Sequence, residues 1–273
     1  MTPNLDIRPA AVAGMFYPRE PQELARTVRT LLAVSAHRDI PTGAIKAVIV
    51  PHAGYIYSGP VAASAYALLA PQRTSIRRVV LLGPVHRVPV RGLALPAETV
   101  FTTPLGAVAL DRLAIERLRA LPQVSVSRAA HALEHSLEVQ LPFLQQVLDE
   151  FTLVPLAVGD ATAAEVAEVL ETLWDGPETL IVVSSDLSHY HSYEEAQRLD
   201  RETCETIREL RSDVDHEQAC GGTPINGLME VARRRGLAPQ LLDLRNSGDT
   251  AGDRARVVGY AAFAFTETGG HGR

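Results

Sequence analysis

The chain reads as one α/β domain with a largely parallel central sheet flanked by helices, and three observations predict this. Short β-branched runs alternate with longer amphipathic ones, the pattern of strands feeding crossover helices. A chain of 273 residues with 46% hydrophobic composition has enough apolar side chains for the core of one large unit. No internal repeat, low-complexity segment or Pro/Gly/Ser linker divides it. A single domain over residues 1–266 is therefore expected, with 267–273, in the stretch TETGGHGR, as a flexible tail.

The elements follow in order. A helix is expected over Pro21 to Ala36, then a strand over Ile45 to Val50, which Pro51 closes by removing a donor. A helix over Gly59 to Leu69 leads to a strand over Arg78 to Gly83, and a further helix runs from Asp111 to Ala120. Leu137 to Glu150 has helical spacing, but Pro142 inside it should kink or restart the helix through its missing N–H and its ring. A strand over Phe151 to Val158 precedes a helix over Ala163 to Leu173, where Thr162 and Glu165 fit a capping box and Gly176-Pro177 mark the exit. The strand Leu180 to Ser184 leads to the helix Tyr193 to Leu210, for which Ser192 and Glu195 fit a second box. The helix Pro224 to Arg235 and the strands Gln240 to Leu244 and Val257 to Phe265 complete the set.

Charge and composition exclude several classes. The net charge of −6 and pI near 5.9 come without a dense basic run, since Arg233 to Arg235 is short and lies in a helical pattern, so nucleic acid is not an expected partner. No window holds about 18 continuous apolar residues and the amino terminus has no signal-like apolar stretch. No membrane association is expected and a cytoplasmic location is. Cys204 and Cys220 form no CxxC pattern and suggest no disulfide framework.

The chemistry-bearing residues sit where strands end. His52 in IKAVIVPHAGYIYSG and His86 in RRVVLLGPVHR each follow a strand and a proline. His189 in TLIVVSSDLSHYH follows a third strand, and His135 in HALEHSLEVQLPFL heads an amphipathic run with its acids on a separate face. Side chains just after the carboxyl ends of several strands converge in an open α/β sheet, so a metal or acid–base site is the leading reading. Each has a plainer alternative: a capping role for His52 and His86, a solvent-facing position for His135, and a turn-capping role for Asp186, which otherwise pairs with His189 as its orienting carboxylate. His131, His37, His216 and His271 have no comparable context. Cys204 fits the apolar face of its helix. Cys220 lies in the glycine-bearing loop QACGGTP before a helix, where the helix amino terminus would favour a thiolate. If it joins His52 and His86, two imidazoles and a soft thiolate suit copper, zinc or ferrous iron better than magnesium or calcium.

MFYP, PHAGYIYSG, LGPVH, EHSLEVQLPFL, SSDLSHY, CGGTPI and SGDTAGDRARVVGYAAFAF occur in the order typical of the Memo family, and the resemblance spans almost the whole chain. Prokaryotic members are called AmmeMemoRadiSam system protein B. The family is similar in fold to the class III extradiol ring-cleaving dioxygenases. The resemblance implies that His52, His86 and Cys220 are metal ligands, that Asp186 and His189 line the same pocket, and that the metal is copper or iron, with zinc compatible; His189, Asp186 and His135 are the candidate catalytic residues. It also implies a redox role, and association with an AMMECR-type domain protein and a radical SAM enzyme. Where the family often reads LGPSHH this chain has Val85 and Arg87. A thiolate in place of the dioxygenases' carboxylate means that ring cleavage does not carry over. Three classes are thereby set against one another: a metal-binding redox protein or oxidoreductase, a non-catalytic module binding a small molecule or peptide in the same pocket, and a metal-assisted hydrolase. The last lacks a G-x-S-x-G elbow and an H-E-x-x-H helix.

Overall fold

The computed structural model describes residues 6–35 and 43–267. In chain order the first elements are β1 (Ile7–Arg8), α1 (Pro21–Ser35), β2 (Ile45–Val50), α2 (Tyr55–Tyr66), a 3-10 turn (Ala67–Gln72), β3 (Arg78–Pro84), β4 (Leu93–Leu95), β5 (Val100–Thr103) and β6 (Gly106–Ala109). Next come α3 (Arg112–Leu118), β7 (Val124–Val126), α4 (Arg128–Ala132), α5 (His135–Glu138), α6 (Leu141–Val147), β8 (Thr152–Val158), α7 (Ala163–Thr172) and β9 (Thr179–Ser184). The chain continues through β10 (His189–His191), α8 (Tyr193–Arg208), α9 (Gly222–Arg235), β11 (Leu237–Asn246), α10 (Ser247–Thr250) and β12 (Val257–Glu267).

One mixed sheet organises the molecule, in the order β10-β12-β2-β9-β3-β8-β4-β7 with β11 also pairing β12. Its centre, β2-β9-β3-β8, is parallel. β2 and β9 are buried along their whole length and β3 and β8 from their second residue onward, as strands covered on both faces by helices must be. Outside this centre β12 pairs β2 and β11 antiparallel and β4 pairs β8 antiparallel, while the edge strand β7 pairs β4 in parallel. The six strands expected from sequence are all present, and the parallel crossover logic holds for the central four, three of which carry the site. The short strands β1, β4, β5, β6, β7 and β10 have too few residues to show a period.

Three local expectations resolve differently from their simplest form. The Leu137 to Glu150 pattern is broken into α5 and α6, with Pro142 in the first turn of α6, where a missing N–H costs nothing. The Gly59 to Leu69 helix starts earlier, at Tyr55, and tightens into the 3-10 turn through Pro71. The Thr162 capping box forms in full, whereas at Ser192 only the hydroxyl half does, because the Glu195 carboxylate turns to Arg198. Glu267, expected in the tail, ends β12. Ala36, expected in the first helix, and 268–273 lie outside the described residues. No helix among the described residues is long and apolar enough to cross a membrane.

Candidate metal centre

Because β2, β9 and β3 are neighbours running in parallel, their carboxyl ends deliver His52, the Ser185-Asp186 pair and His86 to one edge of the sheet. The turn that opens α5 adds His135. The rings of His52 and His86 lie 5.3 Å apart centre to centre, those of His52 and His135 5.4 Å, and those of His86 and His135 4.6 Å in a near-parallel stack. One donor atom from each of the three lies within 4.8 Å of the others, a separation that a bound transition metal would draw together. His52 is buried, His135 half-buried and His86 at the mouth. His135, expected in a catalytic role, thus belongs to the tight cluster.

Glu134, which sequence reasoning left on a surface face, is 2% exposed and organises this edge. Its Oε1 accepts from His86 Nδ1 at 2.8 Å and from the Ser136 amide at 2.9 Å, and its Oε2 accepts from the His86 amide at 2.7 Å. Burial works to raise this carboxyl, but those donors outweigh it and hold it at about 2, so an anion faces the Nδ1 side of His86. Burial, with His86 and Arg87 acting in the same direction, lowers His135 to about 4. Burial and the two neighbouring imidazoles push His52 well below 6.5. The imidazoles of His52 and His135 are neutral at pH 7, the form that ligates.

Glu138, four residues after Glu134, is likewise inside. It accepts from Arg8, from the amides of Ala11 (2.8 Å) and Val12 (2.9 Å) and from Tyr17 Oη at 2.5 Å. These bonds strap the amino-terminal segment to α5 and set Phe16 against the His135 ring at 4.6 Å. Arg8, itself 2% exposed, holds the Glu138 carboxylate inward and also donates to the carbonyls of His131 and Glu134. A cation some 126 residues away in sequence leaves no trace in local periodicity.

Two neighbouring residues make contacts beyond those the sequence suggests. Asp186 does not orient the His189 ring. Its Oδ1 accepts from the His52 amide at 2.7 Å, burial raises it to about 7 against the His52 and Ala53 amides, and it holds the backbone turn that aims His52. The His189 ring instead pairs with the Leu187 carbonyl, and burial lowers its basicity. Cys220 is close, with Sγ 3.3 Å from His52 Nε2 and 3.6 Å from the Asp186 carbonyl. Burial, reinforced by Asp186, pushes the thiol up to about 12, overriding any pull from the start of α9. It lies outside the three-residue set and adjoins it through His52. Gly221 beside it has no room for a side chain, since a Cβ there would sit 2.6 Å from Ser185 Cβ. Cys204 is 1% exposed in the core. His131 is buried with Nε2 donating to the Ala94 carbonyl, His216 is at the surface beside Thr223, and His37 and His271 lie outside the described residues.

Residues 8–264 match the model of the Memo-like protein family. The chain belongs to the Memo family. It is 35% identical to a MEMO1 family protein of Methanopyrus kandleri over 279 residues, covering 94% of this chain and 98% of that one. It is also 35% identical to one of Aquifex aeolicus (95% and 99% covered) and 37% identical to one of Aeropyrum pernix (94% and 99%). Among solved structures, an uncharacterized protein of Escherichia coli K12 aligns with a TM-score of 0.48 and 16% identity, over 79% of this chain and 99% of that one. In this Memo protein the side chains that replace the more usual Ser and His of LGPSHH behave differently: Val85 packs partly against the core, while Arg87 is exposed.

Proposed function

We propose that this Memo protein binds copper or iron at His52, His86 and His135, with Cys220 as a fourth donor on the His52 side, and that the centre serves a redox reaction. The observation that carries this reading is the cluster itself: donor atoms of three imidazoles within 4.8 Å of one another. Three mutually close imidazoles are a donor set that copper, iron and zinc accept. A carboxylate behind His86 is the outer partner that metal-bound histidines recurrently use. When bound, copper or iron would supply one-electron chemistry. The chain's own residues supply the rest. His189, half-buried beside the cluster and kept neutral by burial, would take or give a proton. Asp186 fixes the backbone that presents His52, and the buried face of His52 limits water to the His86 side.

The same reading includes the AMMECR-type and radical SAM partners that the family resemblance implies. Metal analysis of protein purified anaerobically without an affinity tag tests it. Stoichiometric copper or iron is expected, and its loss in His86→Ala. A wild-type protein without stoichiometric metal, and unable to take up copper(I) or iron(II) on titration, would leave the pocket as a ligand-binding module.

A further inference from the structure

The two ring nitrogens of His52 have different neighbours. Nε2 lies against Cys220 Sγ, and Nδ1 lies 2.9 Å from Ser184 Oγ. Which nitrogen carries the proton depends on whether that hydroxyl gives or receives. Ser184 Oγ is 2.6 Å from the Ser136 carbonyl. A carbonyl only accepts, so the single hydroxyl proton is committed there. The second neighbour of the hydroxyl, Gln140 Nε2, donates to it at 2.9 Å. The amide cannot be turned around, because Nε2 also faces the Pro51 carbonyl at 2.9 Å while Oε1 receives Tyr66 Oη at 2.9 Å. Ser184 therefore has only a lone pair to offer His52. A bare Nδ1 at that distance would set two lone pairs against each other in a fully buried place, a cost that the protonated nitrogen avoids.

We propose that Ser184 is a positioning residue of the centre, holding His52 as the Nδ1–H tautomer so that Nε2 is the nitrogen free to ligate, with Gln140 and the Ser136 carbonyl fixing the direction of its hydroxyl. The proposal rests on the metal reading for its purpose, but the tautomer is a property of the metal-free protein. It also explains an asymmetry. The same turn supports both histidines, since Glu134 and Ser136 belong to it, yet His86 is backed by a carboxylate and His52 by a neutral hydroxyl. His86 is accordingly the stronger electron donor of the two and His52 the weaker.

Long-range nitrogen–proton NMR of metal-free protein labelled with nitrogen-15 at histidine, with His52 assigned by His52→Gln, reads the tautomer directly. Wild type should show a protonated Nδ1 and a bare Nε2, Ser184→Ala a mixture of the two forms, and Ser184→Thr, which restores the hydroxyl, the wild-type pattern. Cobalt(II) titration should place the affinity of Ser184→Ala about 10–100-fold below wild type, with Ser184→Thr recovering most of it. A protonated Nε2 in wild type, or a Ser184→Ala protein with the wild-type tautomer and wild-type cobalt affinity, would overturn the proposal. The wild-type spectrum decides the matter even if Ser184→Ala does not fold. Failure of wild type to take up cobalt, copper(I) or iron(II) would remove the metal reading alone, since the spectra still decide the tautomer.

Discussion

At the scale of single residues, the protons displaced by a metal distinguish a ligand from a bystander. The Cys220 thiol is pushed up to about 12, so coordination as thiolate expels one proton at every working pH. His52 and His135 are already neutral, the latter lowered to about 4, and release none. With Cys220 in the ligand set, metal affinity should rise roughly tenfold per pH unit between about pH 8 and 9, above the ordinary range of imidazole titration. In Cys220→Ser it should be flat over that range. A chelator competition series across pH measures both slopes, and a flat wild-type profile would remove Cys220 and leave the three imidazoles as the site.

At the scale of elements, the centre depends on how closely the turn opening α5 approaches β3. A Cβ on Gly83 would fall 2.8 Å from Ser136 Oγ and 3.0 Å from Leu137 Cδ2, and the Ser136 hydroxyl bonds the Pro84 carbonyl at 2.9 Å. Gly83→Ala should push the turn away and shift Glu134, His135 and Ser136 together. The expected result is a stability loss of about 1–3 kcal/mol, as for an overpacked core, together with weaker metal binding. Urea midpoints and metal titration check it. Lost stability with unchanged metal affinity would show that the turn can move as a whole without disturbing the ligands.

At the scale of the whole molecule, buried histidines make the fold sensitive to acid. His131 is lowered from 6.5 to about 4, mainly by burial. Its folded value lies below its unfolded one, so the unfolded chain binds the extra proton first. Stability is fully present above about pH 6.5 and is lost as pH falls towards 4, by about 3 kcal/mol over that window. Asp186 and Asp200, raised to about 7 and about 6 by burial, act in the opposite sense, because folding keeps their protons on. The wild-type slope is thus a balance, and the difference between wild type and His131→Gln isolates one histidine. Urea unfolding at pH 7 and pH 4.5 should find the variant less acid-sensitive, whereas equal slopes would mean that His131 keeps a near-normal basicity.

Much of this was legible along the chain, because it depends on neighbours in sequence. The period of the long strands, the Thr162 box, the restart at Pro142 and the core position of Cys204 are local or composition-driven, and each was readable from a few residues. His52, His86, His135 and His189 stood out because they follow strands or head a helix, and the rule that strand ends converge needs only that the strands be parallel. Which of them meet was decided by the order β2-β9-β3 and by the turn before α6, contacts between segments about 50 to 130 residues apart. Glu134 and Glu138 look like a solvated face in sequence and are held inward by His86 and by Arg8 respectively. The protonation of Cys220 and the partner of Asp186 belong to the same category. Burial and hydrogen bonding are properties of the assembled neighbourhood, and no residue type carries them in advance.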